Sequence, residues 1–252
     1  MKRFLLSIFI GICFVAVKAQ KPQYYYVDFK TDKGNILIQL YNETPRHRDN
    51  FKKLVNDGYY DSLLFHRVIK NFMIQGGDPD SKKAADKVLL GNGGPEYKIP
   101  AEIQSNLIHK KGALGAARDS NPAKQSSASQ FYIVQGRRFT NEGLDSLERF
   151  KLNGGKLSAT QREAYTSIGG TPHLDGNYTV FGQVIKGLES VDNIAAVKTD
   201  DHDRPIVNER MFVRLLTRRE AINQDRELQG LKPKTGFFTT LFDAFKSKKY
   251  NL

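Results

Sequence analysis

Eight short runs of strand-forming residues, broken by Gly, Pro, Asn and Asp, most constrain what this chain can fold into. They predict strands at residues 24–29, 36–40, 63–69, 72–75, 112–117, 130–134, 179–184 and 210–217. The first two flank Asp32-Lys33-Gly34-Asn35 and read as a hairpin. Within this framework helical periodicity is confined to two places. Thr44-Pro45 supplies an N-cap and a first-turn proline for a helix over 45–56, with Phe51, Leu54 and Val55 as its apolar stripe and Gly58 just past its end. Leu188, Val191, Ile194 and Ala195 predict a second helix over 188–196. Many short strands with only two such helices argue for a closed barrel or a sandwich.

The N-terminus adds a second constraint. Lys2 and Arg3 precede an apolar run from Phe4 to Val17, closed by Val17-Lys18-Ala19, which is the layout of a secretory signal peptide over residues 1–19. The run is shorter than the roughly 20 residues a membrane-spanning helix needs, so cleavage after Ala19 is expected. The only cysteine, Cys13, would leave with it. Disulfides, a thiolate nucleophile and a cysteine-ligated metal are therefore excluded from the mature chemistry, and the core must stand by ordinary packing. The loss of Lys2, Arg3 and Lys18 takes the net charge from +12 to +9, with 36 basic against 27 acidic side chains. These basic residues are scattered, and export argues against nucleic acid as a partner. The five histidines lack the spacing of zinc ligands, and Asp200-Asp201-His202-Asp203 lacks the glycine and terminal glutamate of a calcium loop. Neither a metal nor any other cofactor is expected, and no G-x-S-x-G elbow or P-loop is present.

Two segments stand outside the strand economy. Residues 137–171 are long for a connection and carry helical signals: Leu144, Leu147 and Phe150, then the capping box from Ser158 to Gln161 ahead of Ala164 and Tyr165. They read as a two-helix insertion. The other segment, 218–252, is a basic, Phe-rich tail in which Phe237, Phe238, Leu241, Phe242 and Phe245 share one helical face before Lys246, Lys248 and Lys249. That face packs on its own domain, meets a membrane surface or contacts a partner.

The most specific stretch is Phe65-His66-Arg67-Val68-Ile69, a two-residue turn, and Phe72-Met73-Ile74-Gln75-Gly76-Gly77-Asp78-Pro79. It resembles the signature of the cyclophilin family of peptidyl-prolyl isomerases. Three further segments follow in the family's order: Gly112 to Arg118, Ser129-Gln130-Phe131-Tyr132-Ile133, and Leu174 to Val184. The resemblance spans residues 24–217. It implies a mainly β fold, a closed eight-stranded antiparallel barrel capped by two α-helices, in agreement with the elements counted above.

Rotation about an X-Pro amide crosses a barrier of about 18–20 kcal/mol without making or breaking a bond. A catalyst needs an apolar cup for the pyrrolidine ring and a fixed donor that favours the twisted amide. By resemblance Arg67 is that donor. Phe72, Met73, Tyr132 and Leu174 would form the cup, with Gln75, Gln130 and the backbone of Ala117 and Arg118 holding the substrate chain. Taken alone, Arg67 would read as a surface ion pair and Phe72, Met73 and Leu174 as core; their joint order changes that reading. Alternation puts Phe131 in the barrel core and Tyr132 at the pocket. Family members more often carry phenylalanine at Tyr132, so its hydroxyl needs a partner or water. His173 stands in place of a tryptophan of the cyclosporin-sensitive members, which implies weak binding of cyclosporin A, and Tyr178 replaces a common histidine. His66 belongs to the motif without a necessary chemical role.

The expected partners are proline-containing polypeptides, met by a monomer that assists the folding of exported proteins. The rival is a binding module of the same fold that grips proline segments without turnover; such a module can dispense with Arg67. A chain that closes in Tyr250-Asn251-Leu252 has no ER-retention ending, so a bacterial periplasm is the expected compartment, with secretion or an ER-like lumen as alternatives.

Overall fold

The computed structural model describes residues 21–152 and 154–234; the leader expected over 1–19 and the apolar stripe from Phe237 to Phe245 lie outside the described residues. In chain order the elements are β1 (Tyr25–Thr31), β2 (Gly34–Leu40), α1 (Pro45–Asn56), β3 (Leu63–Ile69), β4 (Met73–Gly76), β5 (Lys98–Ile99), β6 (Ala113–Ala116), β7 (Ser126–Ser127), β8 (Phe131–Val134), α2 (Asn141–Phe150), α3 (Ala159–Ser167), β9 (Val180–Lys186), α4 (Leu188–Ala195), β10 (Arg210–Leu215) and α5 (Arg218–Leu228). Eight strands close a barrel in the order β1-β10-β3-β4-β8-β6-β9-β2, while β5 and β7 pair separately. Each strand predicted from the sequence falls on a barrel strand, with ends displaced by at most two residues.

Alternating side chains explain the closure. Val27, Phe29, Ile36, Ile38, Leu40, Ile74, Leu114, Ile133 and Val213 point into one interior cluster. Phe51, Leu54 and Val55 of α1 and Val191, Ile194 and Ala195 of α4 join the same cluster, so both helices stopper the barrel with the stripes read from the sequence. Phe51 meets Phe131 edge to face at a centroid distance of 5.6 Å. The start of α1 differs from expectation. Thr44 occupies the N-cap position but its side chain makes no capping bond. Glu102 does so instead from a distant loop, accepting from the backbone N–H of Arg46 and of His47 at 3.0 Å each. An anionic carboxylate is the better partner for these orphan donors because it also faces the positive end of the helix dipole.

One irregularity sets up everything on the outer surface. Between β3 and β4 the register shifts, with Phe65 opposite Gly76 but Arg67 opposite Gln75. His66 is the extra residue of a β-bulge. Strict alternation would have sent Phe65 and Arg67 to the same face. With the bulge, Phe65 and Val68 both enter the core, and Arg67 faces out.

The 137–171 stretch holds α2 and α3, whose Leu144, Leu157 and Tyr165 bury together against Ile108, Phe139 and Leu152. The Ser158 hydroxyl accepts from Gln161 N at 3.2 Å, and Gln161 Oε1 accepts from Ser158 N at 2.9 Å, completing a capping box. Only the first residue of the α2 stripe is covered: Leu144 is buried and Leu147 partly so, while Phe150 remains 72% exposed. After the last barrel strand, α5 opens the segment read as a tail, with its own capping box between Thr217 and Glu220. It docks through Asp225, which accepts from the buried Tyr26 hydroxyl at 2.7 Å and from Gln23 N at 2.5 Å. Replacement of Asp225 by alanine would leave the Tyr26 hydroxyl unpaired, with an expected loss of about 1–3 kcal/mol in urea denaturation.

Candidate active site

Four residues on adjacent strands lie side by side across the outer face of the barrel. Arg67 of β3 pairs with Gln75 of β4, Gln75 with Tyr132 of β8, and Tyr132 with Gly115 of β6. The period of two keeps Met73 on the face of Gln75. Phe131, by contrast, points inward with Ile133. Gly115 is required here by close approach: a Cβ at that position would lie 2.3 Å from Tyr132 Cζ.

Around this row lies a cavity of about 170 Å³ lined by Arg67, Phe72, Met73, Gln75, Ala117, Arg118, Tyr132, Leu174 and Tyr178. Nine of the eleven residues expected at the site are thus brought together. The other two sit behind or beside it. Gln130 does not line the cavity; its amide donates to the carbonyls of Gly91 and Gly93 at 2.9 and 2.8 Å and its oxygen accepts from Gln75 Nε2 at 3.1 Å. It braces Gln75 and the preceding loop. His173 stacks on Phe72, with centroids 5.5 Å apart and planes inclined by 23°. Burial lowers its pKa, which favours the neutral ring.

The rim carries the charge. Arg67 is about half exposed and its Nε lies 3.4 Å from Asp203 Oδ2. Arg118 lies over the Tyr178 ring, 4.6 Å from its centroid, and donates from Nε to Asn177 O at 2.9 Å. The guanidinium therefore walls the cup on the Tyr178 side.

The floor of the cup rests on a buried polar chain. His109 Nε2 lies 2.8 Å from the Tyr132 hydroxyl, and His109 Nδ1 lies 2.8 Å from Asp175 Oδ1. Asp175 Oδ2 accepts from the Tyr165 hydroxyl at 2.6 Å and from Gln161 Nε2 at 3.1 Å, both on α3. A carboxylate only accepts, so Nδ1 carries a proton; in the neutral ring Nε2 is then the acceptor and Tyr132 the donor. Burial, with Tyr178 and Asp175 adding to it, pushes the Tyr132 phenol well above its ordinary value. The extra hydroxyl foreseen at Tyr132 thus has its partner in a histidine 23 residues away. His109 and Asp175 were missed because their spacing matches no local motif; the only signal was the unmet demand of that hydroxyl. Asp203 was missed for a similar reason, since only the fold brings it to Arg67. Among the described residues, no group of three or more His, Cys, Asp or Glu side chains is placed to hold a metal ion.

His66, the bulge residue, is 3% exposed, and neither ring nitrogen has a hydrogen-bond partner among the described residues. Desolvation lowers its pKa to about 4, against an opposing pull from Asp78 and with smaller contributions from Arg67 and Arg204.

The outer face of the closed barrel thus carries a small cup walled by Phe72, Met73, Tyr132 and Leu174, with an arginine at its rim. The model of the family described as cyclophilin type peptidyl-prolyl cis-trans isomerase matches residues 26–213. The chain belongs to that family. A protein of Staphylococcus aureus strain COL named putative peptidyl-prolyl cis-trans isomerase is 35% identical over 177 residues, covering 70% of this chain and 83% of the relative. Among solved structures, a cyclophilin type peptidyl-prolyl cis-trans isomerase of Cryptosporidium parvum shares the fold, with a TM-score of 0.56, 23% identity and coverage of 77% of this chain and 98% of that one. The same protein in the presence of the dipeptide Ala-Pro gives a TM-score of 0.54 at 24% identity, covering 76% and 99% of the two chains.

Two outcomes are expected at the site. Tyr132→Phe leaves the lone pair on His109 Nε2 buried without a donor, and urea denaturation should show a loss of about 1–3 kcal/mol. For His66, the unfolded chain takes up a proton first as the pH falls, because the folded pKa is the lower one. Stability should therefore be full above about pH 6.5 and decline from there towards pH 4, by at most about 1.4 kcal/mol per pH unit. Urea midpoints measured across this range should fall less steeply in His66→Leu.

Proposed function

We propose that this chain catalyses cis-trans rotation about X-Pro peptide bonds of exported polypeptides, with Arg67 as the donor to the twisting amide. The observation that carries the reading is that Arg67 shares one cavity with Phe72, Met73, Tyr132 and Leu174. The pyrrolidine ring enters the apolar cup, and Gln75 with the Ala117–Arg118 wall holds the chain beside it. As the C–N bond turns, resonance is lost and the prolyl nitrogen regains its lone pair. A guanidinium at hydrogen-bond reach stabilises that state more than the planar amide, which is the differential binding catalysis requires. Arginine suits this role because it stays charged at any working pH and its donor fork is rigid. The half-exposed Asp203 pair is worth about 1 kcal/mol or less, so it steadies Arg67 without withholding it from substrate.

The rival, a module that binds proline segments without turnover, has no use for a cation aimed at the amide. The leader-like residues 1–19 support export, with a bacterial periplasm as the compartment in which a monomer assists folding. The helical spacing of Phe237, Phe238, Leu241, Phe242 and Phe245 in the sequence, ahead of Lys246, Lys248 and Lys249, supports contact with a membrane surface.

The test is the rate of prolyl isomerisation in a protease-coupled or refolding-limited assay. The purified protein should accelerate it, and folded Arg67→Ala should lose at least about tenfold, or ~1.4 kcal/mol of barrier. Absence of acceleration by the folded wild type would overturn the enzymatic reading in favour of the binding module.

A further inference from the structure

We propose that the groove between α2 and the barrel is a second substrate subsite, contiguous with the cup, which takes a large apolar side chain next to a carboxylate in the polypeptide flanking the isomerised proline. This inference rests on the isomerase reading and narrows its substrate class. The groove encloses about 550 Å³, within the range of about 300–1,000 Å³ typical of ligand pockets. Its walls include Phe72, Phe139, Leu147 and Phe150, with Arg137 and Lys151 at hand and no acidic residue among those that line it.

Three observations identify the occupant. The first is continuity. Phe72 lines both the cup and the groove, and His173, stacked on it, lines the groove. A chain held at Ala117 and Arg118 on one flank of the cup leaves over Phe72 and His173 on the other. Because Phe72 belongs to both linings, the groove adjoins the cup directly.

The second observation is apolar demand. The helical stripe of α2 is covered by the fold only at Leu144, and Phe150 at its far end is 72% exposed. An exposed aromatic beside a concave apolar wall gains by covering another apolar side chain. The third is polar demand. Thr171 borders the groove at 2% exposure, and its Oγ1 is buried without a hydrogen-bond partner among the described residues. Two cations and no anion among the lining residues favour a segment that brings a carboxylate.

The experiment walks a Phe-Asp pair, one position at a time, along otherwise alanine peptides on either side of a central Ala-Pro. kcat/KM is read by NMR exchange spectroscopy on the purified protein. At one position the wild type should gain about fivefold over the all-alanine peptide, the size expected when about half of a phenylalanine side chain leaves water. That gain should fall below about twofold in Phe150→Ala with Lys151→Glu, which empties the groove, and in Ser146→Trp, which fills it. Gains within twofold at every position, or a gain that survives both variants, would overturn the subsite and leave the isomerase reading intact. Failure to accelerate any peptide would overturn the isomerase reading itself and the subsite with it.

Discussion

The outer face of the barrel depends on a register. Arg67, Gln75, Tyr132 and Gly115 stand in one row across β3, β4, β8 and β6 because each strand pairs with the next in a fixed phase. A slip of one residue anywhere in that row would exchange core for surface along a whole strand. The phase is held from inside by Ile74, Ile133 and Leu114, which cannot leave the core without exposing apolar surface. The β-bulge at His66 breaks the phase between β3 and β4, and it does so where the arginine must face out while both of its apolar neighbours stay in. Bulges recur beside active sites for this purpose. Here the bulge sequesters a neutral imidazole, an arrangement whose cost grows in acid.

Beneath the cup, the same row is tied to the 137–171 stretch. Tyr132 donates to His109, His109 to Asp175, and Asp175 also accepts from Tyr165 and Gln161 of α3. The network is fully paired, the condition under which buried polar groups stiffen a structure rather than weaken it. It gives α3 a direct connection to the floor of the cup, while α2 borders the neighbouring groove. The pair α2 and α3 thus supports the cup from below and lines the groove beside it.

Much of the fold was legible in the sequence because its signals are local. Period-two alternation placed eight strands, the stripes of Phe51, Leu54 and Val55 and of Val191, Ile194 and Ala195 placed the helices that plug the barrel, and Ser158 with Gln161 marked the start of α3. Nine residues named from the motifs converge on one cavity. What escaped was non-local. Glu102 caps α1 from a residue separation of more than fifty, where Thr44 had the right identity but no bond to make. Gln130 had the right strand neighbourhood, yet the loop carbonyls of Gly91 and Gly93 claim its amide.

The sequence by itself determined the eight barrel strands, the helices α1 to α4, the family they compose, and the residue types available to the cup, since each rests on periodicity or on contiguous motifs. The tertiary structure decided the face that Arg67 takes, the partner of the Tyr132 hydroxyl, and the exposure of Phe150 at the edge of a groove. These outcomes depend on strand register and on contacts between segments far apart in the chain, and a local pattern carries no information about which distant group arrives to satisfy a buried hydroxyl, or about whether one does.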